Sequence, residues 1–142
     1  MSDPLDPQIA DSLIAAARDA MAQAYAPYSH FSVGAAILGE SGRIHAGANV
    51  ENAAYPQGQC AEASAIGAMI LAGDRSVRAI VVMGGQPGDG RLCTPCGGCR
   101  QRLREFARPD TPIHVCGPEG LRQTFRLDEL LPHSFGPDNL DF

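Results

Sequence analysis

The 142-residue chain predicts an α/β fold with helices on both faces of one sheet. Three observations carry that expectation. Strand-like and helix-like stretches alternate along the chain. The run VRAIVVM at 77–83 is almost continuously apolar, as in a strand buried on both faces. Asp6-Pro7 and Thr94-Pro95 each place a capping side chain before a proline, which marks a helix start.

The elements follow in order. Asp6-Pro7 opens a first helix in which Ile9, Leu13, Ala17, Met21 and Ala24 recur at helical spacing, and Pro27 closes the pattern. Residues 31–38 and 44–50 predict two strands joined through Glu40-Ser41-Gly42, a hairpin. AEASAIGAMILA at 61–72 predicts a second helix stopped by Gly73. Thr94-Pro95 predicts a third, from about Cys96 to Phe106. Residues 113–116 give another strand, 117–120 a turn, and 123–126 a short last strand. LDELL, a short helix, precedes the tail PHSFGPDNLDF.

The second helix is unusual. From Ala63 to Ala72 it carries no charge and one polar side chain, Ser64, so it asks to be buried all round. A second subunit is the simplest cover, with Ala63, Gly67 and Ala68 allowing close approach. The alternative is the first helix or the tail of the same chain.

Hydrophobic residues at 44% and charged ones at 19% are globular values and exclude wholesale disorder. The length suits one domain. A net charge of −5 argues against a nucleic-acid partner, whose phosphates call for a basic surface. No signal peptide and no run of about 18 apolar residues is present, so the expectation is a cytoplasmic protein with no membrane partner. Thiols stay reduced there. The five cysteines, Cys60, Cys93, Cys96, Cys99 and Cys116, therefore point to metal or catalysis over disulfides.

Cys93, Cys96 and Cys99 are equally spaced, so either neighbouring pair reads as CxxC. Cys96 and Cys99 share one face of the third helix's first turn, where free N–H groups and the helix dipole favour thiolate. Cys93 precedes the cap and points elsewhere. Cys60 stands at the start of the second helix and enjoys the same help. Two helix starts meeting at one point supply three thiolates to one zinc and leave its fourth position open, the arrangement of a catalytic site. Glu62 then lies close enough to move a proton without ligating. Plainer readings stand beside this one: a redox CxxC, a first-turn helix acid at Glu62, a core Cys116 and a strand-end Cys93.

Cys60-Ala61-Glu62 with Pro95-Cys96-Gly97-Gly98-Cys99-Arg100-Gln101 resembles the small, all-cysteine members of the cytidine and deoxycytidylate deaminase family. So do YAPYSHFSVGAAIL (25–38), NVENAAY (49–55) and SFGPDNL (134–140). The resemblance implies a three-layer α-β-α fold around a five-stranded mixed sheet, one catalytic domain spanning 1–142, and a homotetramer with composite active sites. It implies one Zn²⁺ per subunit on Cys60, Cys96 and Cys99, with Glu62 as the proton shuttle. Asn49 and Glu51 would bind the ribose hydroxyls, Phe31 the pyrimidine, and Ala61 would also touch substrate. Tyr55 and Phe135 would reach neighbouring sites.

One position departs from the family pattern. An arginine usually follows the glutamate, and here Ala63 does. Compensation is then expected from the two helix starts at Cys60 and Cys96 and from a guanidinium–thiolate bond of Arg100. The activity implied is hydrolytic deamination of cytidine and 2′-deoxycytidine in pyrimidine salvage. Its rivals are a blasticidin-type deaminase with the same zinc core and a non-enzymatic zinc or redox module.

Overall fold

The computed structural model describes residues 6–140. The first helix, α1 (Pro7–Ala22), starts where the sequence predicts, with the Asp6 carboxylate accepting from the Gln8 N–H at 2.8 Å. It stops before Ala24, so that residue's helical spacing is incidental. The sheet is built from β1 (Val33–Gly39), β2 (Ile44–Ala48), β3 (Val77–Gly84), β4 (Pro112–Gly117) and β5 (Gly120–Arg126), in the order β2-β1-β3-β4-β5. Only β3 and β4 run parallel, joined through the helix α3 (Gly97–Phe106); every other neighbouring pair is antiparallel.

Strand alternation sorts the core into two layers. Ala35, Ile37, Ile80, Val82, Ile113 and Val115 face the helices α2 (Ala61–Leu71), α3 and α4 (Leu127–Leu130). Ala36, Leu38, Ala79, Val81 and Met83 face Leu13 and Ala17 of α1. This is the predicted three-layer arrangement. Two glycines let helix backbones lie on the sheet. A Cβ on Gly34 would sit 2.0 Å from the Ala17 carbonyl oxygen, and one on Gly47 would sit 2.4 Å from the Ala65 nitrogen. The second contact seats the first turns of α2 against β2.

Further details differ from the sequence reading, among them the end of β2 at Ala48 instead of Val50. The first strand begins at Val33 instead of Phe31, because the Asn49 side chain takes the place of a ladder partner. Its Oδ1 accepts from the Val33 N–H at 2.9 Å and its Nδ2 donates to the Phe31 carbonyl at 2.8 Å. Thr94 is not a cap: Cys96 is the N-cap of α3, and Pro95 precedes the helix. β5 is longer than 123–126. Finally, among the described residues neither α1 nor the tail covers α2. α1 lies on the opposite face of the sheet, and among the described residues Gly67 is exposed and Leu71 is 90% exposed.

Candidate metal centre and active site

The two cysteine-bearing helix starts converge. Cys60 and Cys96 are the N-caps of α2 and α3, both in extended backbone, and neither helix start is closed by a conventional side-chain cap. Their carbonyls accept the first helical bonds, from Ser64 at 3.1 Å and Arg100 at 2.9 Å. Cys99 sits one turn into α3 and is fully buried, whereas Cys60 and Cys96 are exposed. The three sulfurs lie within 4.8 Å of one another, and Cys60 Sγ is 3.9 Å from Cys96 Sγ. Tetrahedral zinc with Zn–S bonds of about 2.3 Å requires sulfurs about 3.8 Å apart, so the donor set fits that ion. Burial raises the Cys60 and Cys99 thiols, while Cys96 is held below its ordinary value. Burial opposes the lowering at Cys96, and the Cys99 N–H and the two neighbouring thiols outweigh it. A bound cation would draw the remaining protons off.

Glu62 is 4% exposed and sits in the first turn of α2. Burial pushes its carboxyl above the usual carboxylate range, partly offset by its own backbone N–H, the Cys99 thiol and the Arg102 guanidinium. A buried carboxyl raised in this way beside a metal-ligand cluster has the character of a proton carrier. Cys93 does not join the three sulfurs among the described residues. Its thiol lies 2.7 Å from where a Cβ on Gly84 would be, close to the edge of the Phe31 ring, and burial with the Glu62 charge raises it to about 11. Cys116 is a core residue on the α1 side.

The expected guanidinium–thiolate bond from Arg100 is absent. Arg100 Nε donates to the Pro95 carbonyl at 2.7 Å, Nη1 to the Leu130 carbonyl at 2.8 Å, and Nη2 to Thr94 Oγ1 at 3.4 Å. Among the described residues no hydrogen bond of Arg100 goes to sulfur. The side chain next to Cys99 on the helix turns toward α4, whose open carbonyl claims it. Among the described residues the cation that lowers the Glu62 carboxyl is Arg102, which the sequence reading missed. It folds back so far that a Cβ on Gly98 would meet its Nη1 at 2.9 Å. The signal was present as Gly98 and Arg102 at i and i+4, since helical side chains lean toward the N-terminus.

The remaining candidates lie outside the three-sulfur cluster. Glu51 Oε1 accepts from the Tyr28 and Ser29 N–H groups at 3.0 and 3.1 Å, and its Oε2 accepts from the Ser29 hydroxyl. Asn49 and Glu51 thus hold the segment 28–33 that presents Phe31, which is 46% exposed. Tyr28, Ser29, Glu51, Asn52, Tyr55 and Gly58 line a cavity of about 370 Å³. Ala61 is fully buried and adjoins both Cys60 and Glu62. Tyr55 and Phe135 stand out from this chain's surface, Tyr55 most of all. A larger cavity of about 560 Å³ lies at the far end of α3, among Arg78, Glu105 and Arg108, and contains none of these residues.

A family model described as the cytidine and deoxycytidylate deaminase zinc-binding region matches residues 7–115. The chain belongs to this deaminase family. A cytidine deaminase of Sporosarcina psychrophila is 38% identical over 132 residues, covering 93% of this chain and 95% of the relative. The crystal structure of the cytidine deaminase from Burkholderia pseudomallei superposes with a TM-score of 0.79 at 38% identity, covering 88% of this chain and 98% of that one. The Mycobacterium tuberculosis cytidine deaminase structure gives a TM-score of 0.74 at 39% identity, over 89% and 96% of the two chains. The deaminase fold and the family's zinc-binding region therefore account for the convergence of Cys60, Cys96 and Cys99 on one metal position.

Proposed function

We propose that the chain is a zinc-dependent cytidine deaminase, converting cytidine and 2′-deoxycytidine to the corresponding uridines with release of ammonia. The observation that carries this reading is a buried Glu62, its carboxyl raised by burial, beside three sulfurs set at zinc spacing. Cys60, Cys96 and Cys99 hold the ion, which supplies Lewis-acid activation of water. Glu62 moves the protons. Water oxygen bonds to C4, one of its protons passes through Glu62 to ring N3, and the second passes to the departing exocyclic nitrogen. The C4–N bond then breaks to give ammonia and the C4 carbonyl. Both of the water's protons are accounted for, one retained at N3 and one lost with nitrogen.

Phe31 packs on the pyrimidine, and Ala61 offers backbone at its edge. Asn49 retains a free N–H and a free lone pair beyond the bonds it makes to the Phe31 segment, and Glu51 exchanges its loop partners for ribose hydroxyls. Among the described residues no arginine lines the cavity at Glu51, which suits a nucleoside over a nucleotide. Tyr55 and Phe135 complete neighbouring sites in a homotetramer of single-domain subunits, working in cytoplasmic pyrimidine salvage. The exposed rings of both residues and the uncovered face of α2 support that assembly.

The test is metal analysis with a nucleoside assay. One zinc per chain, retained in Cys93→Ser and lost in Cys96→Ala, is the expected pattern. Ammonia should be released from cytidine and not at comparable rate from deoxycytidylate. Metal-free Cys93→Ser protein would overturn the ligand set, and zinc-loaded protein inert toward cytidine would overturn the substrate.

A further inference from the structure

The segment 134–140 reaches the body of the protein through polar contacts. Of its residues only Gly136 is buried, and Phe135 and Leu140 are 56% and 57% exposed. Among the described residues Phe135 belongs to neither apolar core cluster. The fixing groups come from α3. Arg104 Nε donates to Ser134 Oγ at 2.9 Å and its Nη2 to Asp138 Oδ1 at 2.7 Å, on the two sides of Phe135. Gln101 Nε2 donates to the Phe135 carbonyl at 2.8 Å. The Gly136 backbone lies flat on the guanidinium: a Cβ there would meet Arg104 Cζ at 2.4 Å. Asn139 Oδ1 then accepts from the Gly136 N–H at 2.8 Å and locks the turn. The Arg104 side chain is 12% exposed although its partner Asp138 is 76% exposed, so the bond set is held from the body side.

We infer that Arg104 is the positioning residue that sets the direction in which Phe135 leaves the subunit. This rests on the reading above that Phe135 enters a nucleoside site. α3 carries Cys96 and Cys99 at one end and Arg104 two turns later, so one rigid helix sets both the metal ligands and the ring offered to a neighbour. The planar guanidinium does this through two directed bonds and a flat contact with backbone, which an ammonium cannot reproduce. Lysine at 104 should therefore behave like a loss.

A double-mutant cycle tests the inference, read as KM and kcat separately with zinc content and hydrogen exchange at 134–140 alongside. Phe135→Ala should raise KM about tenfold, and Arg104→Gln should raise it by a similar factor, as loss of a charge-assisted hydrogen bond implies. Both should keep zinc and most of kcat, and Arg104→Gln should speed exchange in 134–140 only. The pair together should be no worse than Phe135→Ala alone. Ser134→Ala, which removes one of the same bonds from the tail, should reproduce a part of the effect even if Arg104→Gln proves unstable. Multiplying effects in the double variant, or an unchanged KM in both Arg104→Gln and Ser134→Ala, would overturn the role of Arg104. An unchanged KM in Phe135→Ala would instead overturn the reading of Phe135 itself, and the inference with it.

Discussion

Three thiolates give a zinc site a formal charge of −1, so a cation nearby matters to everything that titrates there. The arginines of α3 share the work unequally. Arg102 leans over the first turn and lowers the Glu62 carboxyl against the rise that burial imposes. Removing that charge lets Glu62 hold its proton to higher pH. Arg102→Gln should therefore move the acid limb of the pH–rate profile upward, toward neutral pH, because the base form appears later as pH rises. An unmoved limb in that variant would mean the helix starts alone balance the site. The cysteines and Glu62 were legible in the sequence because their spacing is local to two helix starts. The partner of Arg100 was not, since the turn of a helical arginine depends on which distant carbonyl lies open, here that of Leu130.

At the scale of elements, Arg100 is the bolt between the approach to Cys96, the first turn of α3 and the end of α4. Replacing it strands the Pro95 and Leu130 carbonyls together. Arg100→Gln should cost about 1–3 kcal/mol of unfolding free energy, read in a urea titration, while the pH–rate profile keeps its shape. Loss of activity through a shifted profile, with stability intact, would return Arg100 to the electrostatic role first expected of it. Most of the elements were readable from periodicity and caps, α1 and the buried β3 above all. β5 was cut short because GLRQTFR lacks an apolar alternation. It is an edge strand, held through Arg122, which bonds Glu119 and Asp89 at 2.7 and 2.6 Å and draws the Glu119 carboxyl down to about 2. The cap of α3 was misplaced because cysteine occupies a position where a threonine two residues earlier looked the better candidate.

At the scale of the molecule, the uncharged face of α2 is the feature that a single chain leaves unexplained. A Cβ on Gly67 would meet nothing within 4 Å, so no packing among the described residues requires glycine there. Gly67→Leu should leave each subunit folded and able to bind zinc, yet lower the assembled mass in light scattering and depress activity with it. An unchanged mass would remove α2 from the subunit contact. The charge-free sequence announced this exposed face, whereas what covers it is not written in any local pattern.

The proton path through Glu62 is the claim on which the whole account turns, and Glu62→Gln addresses it with the least ambiguity. Glutamine keeps the size and a hydrogen bond while losing the ability to carry a proton. Metal analysis and cytidine turnover should be measured on the same purified sample. One zinc per chain with turnover reduced by at least about 10²–10⁴-fold is the predicted result, and near-normal turnover by zinc-loaded Glu62→Gln would contradict it.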